Sequence, residues 1–242
     1  MNRGVNLEGE WGSMVENTLD NNDVEITGEV YSSLEFSHEV YGEGFYTFTI
    51  KVPRLSNISD YIIVTVSERL LKDLTLNIGD LIEIKGQFRS YNNYTSTGNK
   101  LVLTVFARDI HFADKNVKVK NPNYIYLNGF ICKPPIYRTT PFGREIADLL
   151  LAVNRAYGKS DYIPCIAWGR NARYSRSLEV GENIKIWGRI QSREYQKKIS
   201  ETETITKVAY EVSISKMEVA KKDADRGIVH ASEDEKENQS IL

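Results

Sequence analysis

The four residues SDYI occur twice, at 59–62 within SDYIIVTVSERLL and at 160–163 within SDYIPCIAWGRNA. The similarity extends outward on both sides of this motif. VEITGEV at 24–30 matches IYLNGFI at 125–131, and NIGDLIEIKGQFRSY at 77–91 matches EVGENIKIWGRIQSR at 179–193. Spacing that is kept over this length, with one residue inserted in the second copy, predicts an internal duplication.

Each copy has the period-two apolar pattern of β-strands. Ile125, Leu127 and Ile131 alternate with aromatic residues, and KLVLTVFARDIHF at 100–112 resembles KVAYEVSISKMEV at 207–219. Three strands, a short helix and two more strands form the element order of an OB-type barrel. The expected fold class is therefore all-β, with two tandem OB-fold barrels, each five-stranded with a short helix between the third and fourth strands. Other small barrels fit the periodicity nearly as well, and each copy is expected to have a separate core.

The charge is segregated along the chain. Residues 1–119 carry 11 Lys and Arg against 17 Asp and Glu, residues 120–222 carry 18 against 10, and residues 223–242 carry 2 against 6. A basic module between two acidic ones indicates a polyanionic partner for the middle module. The predicted organisation is a flexible N-terminal segment (1–22), a divergent acidic OB-fold domain (23–114), a linker (115–122), a basic OB-fold domain (123–220) and an acidic disordered tail (221–242).

Several classes of protein are disfavoured by what the sequence lacks. It has no apolar run long enough for a membrane span, and its start has no signal-peptide core, so a cytoplasmic, nucleoid-associated location is expected. Met14 is a second candidate start. No P-loop is present, the three histidines are isolated, and Cys132 and Cys165 form no CxxC. We expect no enzymatic activity, no cofactor and no metal.

The predicted solvent face of the second copy combines rings with cations. Along NIKIWGRIQSREY at 183–195, Ile184, Ile186, Gly188 and Ile190 point one way, while the residues that point the other way include Lys185, Arg189, Arg193 and Tyr195. Unpaired bases expose faces that stack on such rings, whereas a duplex hides them, so this surface favours single-stranded nucleic acid. The alternative is that these rings are half-buried barrel residues, and Trp187 in particular could pack at a subunit contact.

Three stretches of the second copy resemble the bacterial single-stranded DNA-binding protein family. They are NYIYLNGFICKPPIYRTTPFGREIADLLLAVNRAY at 123–157, DYIPCIAWGRNA at 161–172 and GRIQSREY at 188–195. The resemblance implies OB folds that assemble as four per functional unit, hence a homodimer of this two-copy chain. It also implies stacking by Tyr157, Tyr162, Trp168 and Tyr195, and phosphate contacts by Arg138, Arg170 and Arg193.

The residues and the resemblance together predict sequence-nonspecific binding of single-stranded DNA during replication, recombination or repair. The predicted nucleic-acid-binding residues are Arg138, Arg155, Tyr157, Tyr162, Trp168, Arg170, Lys185, Arg189, Arg193, Tyr195 and Lys197. The first copy, with Ser67 where the second has Trp168, is expected to contribute more weakly, through Arg54, Tyr61, Arg89 and Tyr91. The C-terminal tail is a candidate contact for replication or repair proteins, although it lacks the family's Pro and Phe. A primosome-like assembly or adaptor protein, and an RNA-binding OB protein, remain open as alternatives.

Overall fold

A computed structural model describes residues 20–54, 56, 58–95, 98–117, 119–198 and 204–220. The predicted N-terminal segment, up to residue 19, and the predicted tail, from residue 221, lie outside these residues. The described chain is mostly β-strand, as predicted. The first copy comprises β1 (Asn22–Val30), β2 (Glu35–Val40), β3 (Glu43–Pro53), β4 (Ser59–Ser67), α1 (Glu68–Leu71), β5 (Leu81–Thr95) and β6 (Gly98–Phe112).

The second copy repeats this order. It comprises β7 (Asn123–Ile131), β8 (Ile136–Thr139), β9 (Glu145–Asn154), a 3-10 turn (Ala156–Gly158), β10 (Ser160–Trp168), α2 (Arg170–Ser175), β11 (Asn183–Lys198) and β12 (Thr204–Val219). Six strands are thus described in each copy where five were expected. The additional strands, β2 and β8, are short and pair only with β3 and β9. None of the helices in the described residues is long and apolar enough to cross a membrane.

The strand pairings of the two copies are equivalent. In the first copy, β1 pairs with β3 and β5, β3 pairs with β4, and β6 lies between β4 and β5, so the pairings lead back to β1. In the second copy, β7, β9, β10, β12 and β11 follow the same course. Antiparallel pairing of β1 with β7 joins the copies into one 12-stranded sheet.

Both copies have an irregularity at the same glycine. The register of β5 with β6 shifts between Lys85 and Gly86, and that of β11 with β12 shifts between Trp187 and Gly188. A Cβ atom on either glycine would lie 2.2 Å from a carbonyl oxygen of the partner strand. Only glycine permits so close a backbone approach, so each copy needs it at this bend.

The predicted core alternation is confirmed. Ile125, Leu127, Ile184, Ile186 and Ile190 are fully buried. The expectation of two separate cores is wrong, because one hydrophobic cluster includes residues of both copies. The reason is the pairing of β1 with β7, which continues the sheet from one copy into the other.

Candidate nucleic-acid interface

An open groove of about 620 Å³, lined in part by β11, crosses the second copy. We call it the second-copy groove. Its walls carry Trp168, at the end of β10, and five arginines. These arginines are Arg54, Arg138, Arg144, Arg189 and Arg193. Since Arg54 belongs to the first copy, the groove reaches across the boundary between copies. A concave surface lined with cations attracts polyanions.

Three of these arginines are available on the solvent side. Arg138 donates from Nε to Asp148 Oδ2 over 2.9 Å in an exposed ion pair. Arg193 Nε lies 3.8 Å from Glu211 Oε1, which is a loose pair. Arg144 is exposed and makes no ion pair within the residues described. It was not predicted from the sequence, and it closes the turn after β8, where its N–H donates to Thr140 Oγ1 over 3.1 Å.

The predicted rings of the second copy are exposed. Trp168 is 38% exposed, and its Nε1 donates to Ser213 Oγ over 3.2 Å, which fixes the indole at the groove. Tyr162 and Tyr195 are also exposed. The guanidinium of Arg193 lies 6.0 Å from the Tyr195 ring centre. The structure therefore brings a tryptophan and cations together in one groove. Base contact by these rings stays a prediction.

Other predicted residues lie apart or outside the described side chains. Arg170 is exposed at the first position of α2. Lys185 does not line the second-copy groove; it lies two residues before Trp187, whose ring packs 5.2 Å from that of Tyr126 on β7. The side chains of Tyr157, in the 3-10 turn, and Lys197, on β11, lie outside the described part of the chain.

Four predicted arginines occupy the boundary between the copies, where two aspartates are fully buried. On one side, Asp60 of the first SDYI accepts from Arg54 Nε over 2.8 Å and Arg54 Nη2 over 2.6 Å. It also accepts from Arg189 Nη1 over 3.3 Å and from the Ser192 backbone N–H over 2.8 Å, both in the second copy. Arg54 and Arg189 therefore balance a buried carboxylate, which weighs against a primary role in phosphate binding.

The second SDYI makes the reciprocal contact. Asp161 accepts from the Ser90 backbone N–H over 2.6 Å. Arg155 Nε lies 3.3 Å from Asp161 Oδ2, but the two atoms are not aligned as a hydrogen bond. The tyrosines of the motif complete the symmetry, since the Tyr61 N–H donates to Ser192 Oγ and the Tyr162 N–H donates to Ser90 Oγ, over 3.0 and 2.7 Å. Both SDYI motifs thus bind a serine of the other copy.

Burial perturbs several charged groups at this boundary. It lowers the pKa of Arg89 to about 10, an effect to which the nearby Arg155 contributes, and this still leaves the guanidinium charged at neutral pH. Burial also lowers the pKa of Arg189 and raises the pKa of the Asp161 carboxyl. The hydrogen bond to Asp60 raises the pKa of Arg54. The negative charge of Asp60 is therefore better compensated by neighbouring arginines than that of Asp161.

The first copy has a groove of its own, of about 490 Å³, which we call the first-copy groove. It is lined by Arg89 and Tyr91, both predicted, and by Arg155 of the second copy. Phe106 and His38 also line it, and neither was predicted. Tyr61 does not line it; its ring meets Tyr31 edge-on, with ring centres 4.7 Å apart.

Known proteins resemble the part of the chain that forms the second-copy groove. The sequence model of the Single-strand binding protein family matches residues 122–219. Single-stranded DNA-binding protein 3 of Clostridium acetobutylicum is 31% identical over 96 residues, which cover 37% of this chain and 67% of that protein. The chain belongs to the single-strand binding protein family.

Other members of the single-strand binding protein family are similar in part of their length. Single-stranded DNA-binding protein 1 of Staphylococcus aureus is 34% identical over 93 residues, 36% of this chain. The match spans 56% of that relative's own length. The matched family segment, residues 122–219, holds β7 to β12, so membership rests on the second copy.

The fold likeness covers both copies. The crystal structure of the wild-type single-stranded DNA binding protein from Thermus aquaticus superposes with a TM-score of 0.66 at 19% identity. The superposition covers 87% of this chain and 96% of that one. At this identity the likeness shows the fold alone, and its coverage includes strands of both copies.

Proposed function

We propose that the protein binds single-stranded DNA with little sequence preference, and that the second-copy groove supplies most of the affinity. The observation that carries this proposal is the exposed Trp168 indole in a groove with five arginines. Bases stacked on such a ring contribute about 1–3 kcal/mol each, and every base has a face that can stack. Cations beside the ring neutralise phosphates regardless of sequence.

The arginines of the second-copy groove fall into an exposed group and a group paired with Asp60, which supports a path for the DNA backbone along the exposed group. Arg138, Arg144 and Arg193 are exposed, so phosphates can approach them, and the one pair among them with a buried partner, Arg193 with Glu211, is loose at 3.8 Å. Arg54 and Arg189 compensate Asp60 and leave less charge for DNA. We therefore assign phosphate binding mainly to the exposed three, with Tyr162 and Tyr195 as further stacking residues.

A fluorescence titration with an oligo-dT strand tests this function. Stacking should quench the emission of Trp168, and the affinity should fall with salt by about 0.7 in log–log slope for each neutralised phosphate. A matched duplex should compete poorly, because its base faces are hidden. Equal affinity for duplex and single strand would contradict the proposal, and tighter binding of an oligo-rU strand would assign the groove to RNA.

The same proposal includes the architecture. We infer that β1, β3, β4, β6 and β5 form one five-stranded OB barrel and that β7, β9, β10, β12 and β11 form the other, with β2 and β8 as added hairpin strands. The proposed domains are residues 23–114 and 123–220, joined by 115–122. The leading support is that the pairings return to the first strand of each copy.

We further propose that the protein acts by binding, without catalysis, on DNA of the nucleoid, and that it is a homodimer. Two copies in one chain would then reach four OB folds in the pair, and two-fold closure is the commonest symmetry of homo-oligomers. Light scattering at micromolar concentration measures the mass directly. A monomer at that concentration would refute the dimer and leave the DNA-binding proposal intact.

A further inference from the structure

The aromatic residue of the groove has changed strands between the copies. In the second copy, β10 pairs in parallel with β12 at Ile166 and Ser213, and the Trp168 indole lies against Ser213. In the first copy, β4 pairs in parallel with β6 at the equivalent residues, Thr65 and Phe106. Phe106 therefore stands where the second copy has Ser213. Conversely, Ser67 stands where the second copy has Trp168.

Phe106 belongs to a series of flat groups. The Arg89 guanidinium lies over its ring, 3.9 Å from the centre. On another side, the Phe45 ring centre is 5.9 Å from that of Phe106. The exposed His38 imidazole stacks on Phe45 almost in parallel, at 5.0 Å and 10°. Two stacked pairs thus lie next to each other, and Arg89, Phe106 and His38 all face the first-copy groove.

The groups around these rings suit a nucleotide. A guanidinium plane can stack on a base while its charge attracts a phosphate. The Arg89 plane is held by its contact with the Phe106 ring and by the hydrogen bond from Nη2 to Gln87 Oε1 over 3.0 Å, while its Nε is shielded from solvent and has no hydrogen-bond partner within the described chain. Arg155 of the second copy lies in the same groove. The hydroxyls of Thr65 and Thr104 also line it and bond to each other over 2.9 Å.

The two grooves exchange arginines across the boundary between copies. Arg54 of the first copy lines the second-copy groove, and Arg155 of the second copy lines the first-copy groove. Each groove therefore includes an arginine of the other copy, which places both grooves beside the boundary between copies.

We propose that the first-copy groove is a second base-binding site, in which an unpaired nucleobase of the same strand stacks on the Arg89–Phe106 pair beside His38. This inference rests on the proposed function, since it assigns another part of the strand bound by the second-copy groove. In this site the stacking residue lies on β6, whereas in the second copy it lies on β10, the counterpart of β4.

Photo-crosslinking of the full chain tests the site directly. An oligo-dT strand containing 5-iodo-deoxyuridine is bound, irradiated and digested, and the adducts are located by mass spectrometry. Adducts on peptides that contain Phe106, Phe45 or His38, beside those of the second copy, are expected. Adducts confined to second-copy peptides overturn this inference and leave the proposed function standing. A chain that binds no single strand overturns both.

A pair of variants gives a second measurement. Phe106→Leu removes the ring face but keeps the apolar bulk, and it should weaken binding of a strand of about 30 nucleotides at least about 5-fold, the lower end of one stacking contact. A strand of about 8 nucleotides, short enough for one OB fold, should lose less. Phe112→Leu, on the same strand but outside the groove, is the control and should bind as wild type, with thermal melting to check both folds. Equal binding by the two variants on the long strand refutes the site.

Discussion

The two copies of the chain keep the same boundary contacts and differ in their grooves. Each SDYI aspartate accepts from a serine N–H of the other copy, and each SDYI tyrosine N–H donates to that serine's hydroxyl. In the grooves, the ring lies on β10 in one copy and on β6 in the other. The comparison teaches that identical short motifs mark the shared contact between copies, while the chemistry of each groove is set by residues that differ.

One exchange makes the boundary itself unequal. On β5, Arg89 Nη2 donates to Gln87 Oε1, and on β11, Arg189 Nη2 donates to Gln191 Oε1, both over 3.0 Å. The order of Arg and Gln is reversed between the two strands. As a result Arg189 reaches Asp60, while Arg89 donates no hydrogen bond to Asp161 and stacks on Phe106. Among the described residues, Asp60 therefore has two arginine donors, and Asp161 has none in hydrogen-bonding geometry.

The largest expected effect is a loss of stability when Asp60, the buried aspartate with two arginine donors, loses its charge. Asp60→Asn leaves Arg54 and Arg189 without their carboxylate and should lower the free energy of unfolding by about 3 kcal/mol, near the lower end for a broken buried pair because both arginines keep some exposure. Urea denaturation measures the change.

Asp161→Asn is the matched control and should be less destabilising. Burial raises the pKa of Asp161, so its ionised form is disfavoured in the folded state; any stability this group contributes is present at acid pH and is lost as the pH rises through the raised pKa. At neutral pH, replacing the carboxyl group by a neutral amide therefore costs less stability at position 161 than at position 60. If the two variants lose the same free energy of unfolding, the inference that Asp60 is better compensated than Asp161 is wrong.

The second comparison concerns the groove rings. Trp168→Ala should weaken binding of an oligo-dT strand by about 1–3 kcal/mol, because it removes one stacking face. Tyr174→Ala, at an exposed position on α2 that does not line the second-copy groove, should leave the affinity unchanged. Fluorescence anisotropy of a labelled strand follows both. A Trp168→Ala protein that binds as well as Tyr174→Ala would move the binding surface away from this groove.

Much of the fold was predictable, because period-two alternation is a local signal. Ile184, Ile186 and Ile190 could be assigned to the core from spacing alone. The roles of the arginines could not, because alternation places a side chain on a face without saying what lies opposite. Arg54 and Arg155 each meet a buried aspartate of their own copy, and Arg189 reaches Asp60 across the boundary between copies. The alternation pattern reveals none of these contacts. The sequence did contain an indication of these contacts. Asp60 lies two residues before the core residue Ile62, on the same face of its strand, and a charge at a core position needs a partner.

Phe106 was missed for a related reason. Its counterpart Ser213 is small, so comparing the copies position by position showed only a lost ring at Ser67. The parallel pairing of β4 with β6 brings the gain and the loss into the same groove, and sequence spacing does not reveal that pairing.

A third prediction separates the two kinds of arginine in the second-copy groove. Arg144→Ala removes an exposed cation and should reduce the log–log salt slope of binding by about 0.7, with little change in unfolding. Arg54→Ala should leave the slope nearly unchanged and lower stability, because Asp60 loses a donor. Salt titrations paired with urea denaturation distinguish them. If the slopes change equally, Arg54 contacts phosphate despite its ion pair.

The smallest expected effect lies at the tyrosines of the repeated motif. Tyr61 and Tyr162 occupy the same place in SDYI, and both are exposed. Neither ring lines a groove, but Tyr61 packs edge-on against Tyr31, whereas Tyr162 is the more exposed of the two and lies on β10, the strand that ends at Trp168. Tyr61→Ala should therefore weaken binding by less than about 0.5 kcal/mol, well below the roughly 1 kcal/mol or more expected for Tyr162→Ala if a base stacks there. Anisotropy titrations at one salt concentration compare the two variants. If both lose the same affinity for the strand, the two SDYI tyrosines contribute equally, and the copies differ only in their grooves.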